Sequence, residues 1–292
     1  MIYCTVNIQS QITNHKSKIE NRKSKILVDI HITDLFHSYP NGVEALRGVS
    51  LDIPTGAQLA LLGQNGAGKT TLVKHLNGLL KPTRGSVRIG DWDTREHSIA
   101  QLARRVGFVF QNPDDQLFKT RVWDEIAYGP LNLHLSQEDV KARVERALET
   151  CELGAVRDAH PYDLPPWQRR WVALASVVAM QTPIIVLDEP TTGQDAFGLA
   201  RLVRLLERWR EQGATVIAVT HDVDFAVEHL AELLVMAGGR VIAHGDAQIL
   251  ANEQVVREAA LDAPQLMRLA KALGWGELPA TPEAFIAALD SR

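Results

Sequence analysis

The chain has 292 residues, of which 46% are hydrophobic and 23% are charged, and its formal net charge is −4. This composition is typical of a soluble globular protein with a substantial core, in one large domain or two smaller ones. The negative charge argues against a nucleic-acid-binding protein, which usually carries a basic excess. The two cysteines, Cys4 and Cys151, provide no disulfide framework and no metal-binding spacing, which fits a reducing compartment.

No apolar run in the sequence reaches the ~18 residues that a membrane-spanning helix needs. The longest, residues 172–180, is about half that length and is interpreted as a buried helix. The N-terminus also lacks the apolar segment of a signal peptide. We therefore expect a cytoplasmic protein, in which any membrane role depends on a partner.

Residues 1–26 form a polar, basic and nearly repetitive tract, in which the pattern at 14–19 recurs at 21–26. A tract of this kind buries little apolar surface, so we predict that it is disordered and lies outside the fold. Two interpretations of the tract stay open: an extension produced by an upstream start site, or a functional basic arm.

The first part of the fold is predicted to be rich in β-strands. Four segments have strand character: residues 26–35, 45–53, 85–90 and 106–110. Asn41 and Gly42 form the turn between the first two. The polar residues 111–116 follow the last segment as a loop, because Pro113 cannot continue the strand pairing.

A glycine-rich stretch lies between an apolar strand at 58–62 and a helical pattern at 72–76. Its residues are Gly63, Gln64, Asn65, Gly66, Ala67, Gly68, Lys69, Thr70 and Thr71. Strand, turn and helix are the context in which this pattern cradles phosphate, because loop N–H groups and the helix N-terminus converge on the anion. Lys69 is expected to reach the β- and γ-phosphates and Thr70 to bind Mg²⁺. The sequence therefore predicts an ATP or GTP site.

The second half is predicted to return to the parallel sheet after an all-helical insertion at about 119–180. Helical patterns occur at 122–128 and 137–153, the latter with Ser136 as its N-cap. The later elements are strands 184–187 and 215–219, a helix at 195–212, and a hairpin from 233 to 244 that turns at Gly238 and Gly239. Beyond about 246 we expect short helices, interrupted at Pro264 and Gly274.

Polar residues stand at the ends of two of these strands. Asp188 and Glu189 follow strand 184–187, and His221 follows strand 215–219. Beside a phosphate loop, Asp188 is predicted to hold Mg²⁺ and Glu189 to polarise an attacking water. Taken alone, either carboxylate could instead cap a helix and His221 could be structural. The position of His221 at the end of a strand favours a contact with the γ-phosphate.

These motifs, in this order, resemble the ATPase subunit of an ABC transporter. The resemblance implies an α/β fold: a RecA-like P-loop NTPase core with an antiparallel β subdomain and an ABC helical subdomain. It covers residues 27–250, leaving 251–292 as a C-terminal helical extension. It also assigns roles outside the phosphate loop: adenine stacking to Tyr39, the Q-loop contact with Mg²⁺ to Gln111, Walker B to Asp188, the catalytic base to Glu189, the D-loop to Asp195 and the switch histidine to His221.

Two stretches narrow the resemblance to energy-coupling-factor and cobalt-type importers, namely residues 111–118 and the tail at 264–270. Those systems take up vitamins or transition-metal ions. The resemblance implies ATP and Mg²⁺ as ligands, an integral membrane component and a second ABC ATPase as partners, no nucleic acid, and a peripheral location at the cytoplasmic side of the cell membrane. The resemblance also implies that a membrane component selects the transported substrate, so this sequence does not identify it.

One motif of the family is broken. Its LSGGQ signature corresponds to residues 164–168, which here read Leu-Pro-Pro-Trp-Gln. Pro165 and Pro166 have no N–H to give to phosphate, and Trp167 occupies space that glycine leaves open. Because prolines are tolerated in the first turn of a helix, the helix itself should survive.

The damaged signature favours a heterodimer with a paralogue whose signature is intact, although a homodimer stays open. Two other functions also stay open. A soluble ABC ATPase acting on ribosomes or DNA is disfavoured by the single cassette and the lack of a basic face. A regulatory subunit with little turnover is favoured by the signature and disfavoured by the intact Glu189.

Overall fold

The computed structural model describes residues 28–291. The predictions for the tract 1–26 therefore lie outside the described residues, as does the start of the first predicted strand. The described chain contains two sheets, one of four strands and one of six. Within it, no helix has the length and apolar character needed to cross a membrane.

The four-stranded sheet is antiparallel and has the order β2-β1-β4-β5. Its strands are β1 (Ile30–Ser38), β2 (Glu44–Ile53), β4 (Arg84–Ile89) and β5 (Trp92–Asp93). The β1–β2 hairpin is confirmed, but β1 runs three residues beyond its predicted end, because Phe36, His37 and Ser38 still pair with β2. Tyr39 lies directly after β1 and closes the hairpin, accepting from the Gly42 N–H at 2.9 Å.

The six-stranded sheet has the order β10-β9-β3-β8-β7-β6. Its strands are β3 (Gln58–Leu62), β6 (Val106–Val109), β7 (Ile184–Asp188), β8 (Thr215–Val219), β9 (Glu232–Ala237) and β10 (Arg240–Gly245). All neighbouring pairs are parallel except the predicted hairpin of β9 and β10. Leu59 and Leu61 of β3 pack into one core, Ala60 and Leu62 into another. A parallel sheet covered on both faces is the predicted RecA-like arrangement.

The described helices alternate with these strands or follow them. They are α1 (Lys69–Leu76), α2 (Ile99–Leu102), α3 (Val122–Asn132), α4 (Gln137–Thr150), α5 (Pro166–Met180), α6 (Ala196–Glu211), α7 (Val223–His229), α8 (Glu253–Glu258), α9 (Gln265–Ala272) and α10 (Pro282–Asp290). The predicted N-cap of α4 is present: the Ser136 hydroxyl accepts from the Asp139 N–H at 3.1 Å. The helix ends at Thr150, three residues earlier than predicted, because Glu152 has a φ of 54°.

The chain after β10 packs onto the main body. It consists of short helices, as predicted, with Pro264 as the N-cap of α9 and Gly274 just after its end. Ala259, Met267 and Ala280 belong to the same apolar core as Leu62 of β3. The division at residue 250 remains a prediction, and the tail shares its core with the main sheet.

Candidate nucleotide site

Four parallel strands deliver the predicted site residues to one edge of the sheet. β3 leads into Gly63, β6 into Gln111, β7 ends at Asp188, and β8 precedes His221. Asp188 pairs with Val219 on β8, so the ends of these neighbouring strands are level. The carboxyl edge of such a sheet is where α/β proteins bind ligands.

The loop after β3 depends on glycines in left-handed conformations. Gly63, Gly66 and Gly68 have φ values of 143°, 83° and 101°. A Cβ at Gly63 would lie 2.2 Å from the Met236 carbonyl oxygen, whereas a Cβ at Gly66 would have no atom within 4 Å. Gly66 therefore faces open space, and Gly68 starts α1 without a side-chain cap. The first turn of an α-helix leaves N–H groups without helical partners, and these are the donors that phosphate binding uses.

Lys69 is buried and its ammonium group points back over the loop. Nζ donates to the carbonyl oxygens of Gly63 at 2.6 Å and Gln64 at 3.1 Å. Burial lowers the pKa of Lys69, while the nearby carboxylates of Glu189 and Asp188 act in the opposite direction. A cation removed from water and held beside an open loop is suited to an anionic ligand.

Asp188 and Thr70 form a small set of oxygen donors beneath the loop. The Thr70 hydroxyl donates to Asp188 Oδ1 at 3.4 Å, a long bond for two oxygen atoms. Burial raises the pKa of Asp188, the Thr70 bond lowers it and the charge of Glu189 raises it. A carboxylate and a hydroxyl fit Mg²⁺, which usually keeps several waters and takes one or two protein carboxylates. The residues present therefore fit the predicted ion.

Glu189 is held by both its backbone and its side chain. Its φ of 52° is uncommon for a residue with a Cβ, and its N–H donates to the Val219 carbonyl at 2.8 Å. Oε2 lies 2.8 Å from Nδ1 of His221. The Glu189 side chain is 8% exposed and that of His221 is 65% exposed. The carboxylate is therefore fixed at the rim of the loop, with its histidine partner facing outward.

Comparison with known proteins identifies the family. A sequence profile described as ABC transporter matches residues 46–192. The chain is 42% identical over 240 residues to the energy-coupling factor transporter ATP-binding protein EcfA of Carboxydothermus hydrogenoformans, covering 82% of this chain and 89% of that protein. The chain belongs to the ABC transporter family. It is an ABC ATPase, and the predicted fold class is confirmed.

Other relatives of this ABC ATPase are similar over comparable lengths. EcfA of Methanocaldococcus jannaschii is 37% identical over 247 residues, which cover 84% of this chain and 88% of that protein. The structure of CbiO1 from Clostridium perfringens, described as part of the ABC transporter complex CbiONQ, superimposes with a TM-score of 0.70 at 33% identity. That match covers 84% of this chain and 98% of CbiO1.

The predicted site residues of the ABC ATPase do not all line one cavity. Gln111, Glu189 and His221 line a cavity of about 560 Å³ together with the start of the loop, Gly63–Asn65. Tyr39 lies elsewhere, at the other end of the loop, where its hydroxyl is 3.0 Å from Thr71 Oγ1. A tyrosine beside the loop is suitably placed for a nucleobase, but its role remains a prediction.

The signature region of the ABC ATPase keeps its helix, as predicted. Pro165 is the N-cap of α5 and Pro166 its first residue. The N–H groups of Gln168 and Arg169 both donate to the Pro165 carbonyl. Trp167, which precedes both residues in the first turn, is 48% exposed. The helix start is thus intact, while the residues that would offer phosphate donors in the family are prolines and an indole.

Two contributions to the site were missed in the sequence. The tail supplies a wall of the cavity through residues 260–263, Gln265 and Arg268. The Gln64 N–H donates to the Ala259 carbonyl at 3.1 Å. Arg170 donates to the carbonyl oxygens of Glu189 and Gln111. Both the tail and Arg170 make their contacts through backbone carbonyls, which every residue type has. The sequence therefore contained no signal for these contacts beyond the basic side chain of Arg170.

Proposed function

We propose that this ABC ATPase is the ATP-hydrolysing subunit of an energy-coupling-factor importer for a vitamin or a transition-metal ion. The relatives named EcfA and the fold match to CbiO1 support this assignment. The observation that carries it is the bond between Glu189 and His221 beside an intact phosphate loop. An integral membrane component would hold the protein at the cytoplasmic side of the cell membrane.

ATP binding would use the loop amides, Lys69, Thr71 and Tyr39. Lys69 is buried, and its Nζ donates to two loop carbonyls. The ammonium group therefore already lies at the loop and can exchange these bonds for a bond to a phosphate oxygen. Thr70, Asp188 and Gln111 would hold Mg²⁺. When bound, this ion would neutralise part of the phosphate charge.

Hydrolysis would use Glu189 as the general base. A base must lie within hydrogen-bond reach of the proton that it removes, and the Glu189 carboxylate lines the cavity at the head of the loop. His221 fixes Oε2 of this carboxylate and leaves the other oxygen to a water molecule. The exposed ring of His221 would itself reach the γ-phosphate.

The partner ATPase is proposed to be a paralogue. Pro165 and Pro166 lack N–H groups, so this chain would bring a sound phosphate loop and a deficient signature. A partner with an intact signature would complete the site built on Lys69 and Glu189. A homodimer would instead pair each loop with a deficient signature.

Co-purification tests this proposal. The full chain is expressed with an affinity tag in its native membranes, solubilised in mild detergent and purified. We expect an integral membrane protein and a second ABC ATPase in the eluate, together with ATPase activity that the Glu189→Gln variant loses. If the chain is found only in the soluble fraction and elutes without either partner, the importer assignment is contradicted.

The signature also favours a second candidate, a nucleotide-binding regulatory subunit with little turnover. The specific observation is that the start of α5 offers prolines where the family offers N–H donors. ATPase assays of the purified complex separate the two functions. If Glu189→Gln in this chain leaves the activity of the complex unchanged, the regulatory function is correct.

A further inference from the structure

Arg170 of α5 joins three parts of the site through hydrogen bonds. One guanidinium nitrogen donates to the Glu189 carbonyl at 2.7 Å, and the other donates to the Gln111 carbonyl at 2.8 Å. Glu189 and Gln111 follow the adjacent parallel strands β7 and β6. A single planar side chain thus links the ends of both strands to the helix that begins with the damaged signature.

The Glu189 backbone needs support of this kind. Its φ of 52° places it in the left-handed region, which is unfavourable for a residue with a side chain. Its N–H is bonded to Val219, and its carbonyl otherwise accepts only a longer bond of 3.3 Å from the Thr192 N–H. The bond from Arg170 is shorter and charged, which makes it the stronger of the two.

Arg170 is well suited to this position because its fork of donors is rigid. Two carbonyl oxygens from different strands can be bound at once, which a lysine cannot do in the same geometry. The side chain is partly buried, and its bond to the Glu189 carbonyl is partly shielded from water.

We propose that Arg170 is a positioning residue for the general base: it fixes the backbone of Glu189 relative to that of Gln111. The inference rests on the proposed hydrolytic function. It places control of the base in this chain's own signature helix, in addition to any contact made by a partner. The orientation of the Glu189 carboxylate then depends on where the loop of Gln111 lies.

The test compares Arg170→Gln and Arg170→Lys with a matched control, Arg143→Gln. Arg143 is also partly buried and donates to a backbone carbonyl of α5, that of Met180 at 2.9 Å, at the far end of the helix. The full-length chains are measured for Mg-ATP affinity and for single-turnover hydrolysis of γ-labelled ATP, with protein in excess so that slow reaction is seen. Hydrogen exchange of the peptides that contain Gln111 and Glu189 is followed without nucleotide.

We expect Arg170→Gln to keep its ATP affinity within about twofold and to lose hydrolysis by tenfold or more, because small displacements of a catalytic group cost up to about 10²-fold. Exchange of both peptides should rise. Arg170→Lys should recover part of the rate through one carbonyl. Arg143→Gln should match the wild type in rate and in exchange of these peptides.

Three results would overturn the inference: an unchanged rate in Arg170→Gln, an equal loss in Arg143→Gln, or unchanged exchange of the two peptides. A wild-type complex with its partner ATPase that binds ATP without hydrolysing it would contradict the proposed function instead. In that case the exchange experiment still decides whether Arg170 fixes the two carbonyls.

Discussion

Nδ1 of His221 lies 2.8 Å from Oε2 of Glu189, although the two residues follow different strands. Neighbouring parallel strands β7 and β8 end level with each other, which brings their following residues together. The pair unites a nearly buried carboxylate with an exposed imidazole. The ring contacts only one oxygen of the carboxylate, and the proposed function assigns the other oxygen to the attacking water.

Replacing Glu189 with Gln should stop hydrolysis and preserve ATP binding, because the amide keeps the shape of the side chain but is not a base. The measurements are ATP affinity and hydrolysis rate of the purified chain or complex. Glu232→Gln is the matched control, since Glu232 forms another His–Glu contact, at 3.1 Å from His244, on the β9–β10 hairpin. Hydrolysis by Glu189→Gln at the wild-type rate would disprove the assignment of the base.

Replacing Lys69 with Ala should weaken ATP binding by about tenfold to a hundredfold, since a hydrogen bond to a charged group contributes about 1.5–3 kcal/mol. Equilibrium binding of Mg-ATP measures the effect. Lys81→Ala is the control: burial lowers the pKa of this lysine too, and its Nζ donates to the carbonyls of Thr94 and His97. If both variants bind ATP equally well, Lys69 does not bind phosphate.

Gly68→Ala should destabilise the fold far more than Gly42→Ala. Both residues have positive φ, which costs an L-residue about 1–2 kcal/mol. A Cβ at Gly68 would also lie 2.6 Å from the Ala45 carbonyl oxygen, whereas Gly42 has no atom within 4 Å of its Cβ position. Urea unfolding midpoints of the two variants measure the difference: Gly42→Ala reports the cost of the positive φ alone, and Gly68→Ala reports that cost plus the steric clash. Equal midpoints would show that the loop moves aside without cost.

The isolated chain should bind Mg-ATP but hydrolyse it slowly, because Pro165 and Pro166 at the start of α5 lack the N–H groups that would donate to phosphate. Loss of one preorganised donor typically costs about 10²–10³ in rate. Substituting Ser-Gly-Gly at positions 165–167 should therefore raise the ATPase rate of the isolated chain, measured by phosphate release. Fast, cooperative hydrolysis by the unsubstituted chain without a partner would mean that Trp167 and its neighbours replace the usual motif.

His75 should make the fold sensitive to mild acid. It is fully buried beside His37, and burial lowers its pKa to about 4 although its Nδ1 contacts the Thr71 carbonyl. Between the ordinary pKa of 6.5 and about 4, the unfolded chain binds the proton and the folded chain does not, so stability falls as the pH falls. The loss reaches about 3 kcal/mol at the bottom of this window.

Urea unfolding at pH 7 and pH 5 measures this slope for the wild type and for His75→Gln, which cannot take up the proton. His31→Gln is the control, because His31 lies at the surface with Asp52. An equal pH dependence in the wild type and His75→Gln would show that other groups cause the acid sensitivity.

The parts of the site that were predictable are those that depend on local residue types. Glycines at 63, 66 and 68 are required because each has positive φ, and Lys69 follows them directly. The ends of buried strands were equally visible, since β7 and β8 each contain a run of four apolar residues, at 184–187 and 216–219. Both signals depend on residues close together in the sequence, so they can be recognised without the tertiary fold.

The missed parts depend on backbone groups that meet across the fold. Any residue can offer the carbonyl that Ala259 gives to Gln64, so the tail could not be placed at the loop from its side chains. The two carbonyls bound by Arg170 are likewise independent of residue type. The basic character of Arg170 was visible, but its targets follow only from the packing of α5 against β6 and β7.

The position of β3 between β9 and β8 has a consequence for biosynthesis. The ribosome makes β3 and its loop early, but both strands that flank β3 belong to the last third of the chain. Until they emerge, β3 has no partner in its own sheet and its apolar residues stay exposed, a state that favours aggregation or capture by chaperones. Nascent chains that end before residue 237 lack a complete β9. Retention of stalled chains of increasing length on ATP-agarose would therefore reveal a sharp onset late in translation.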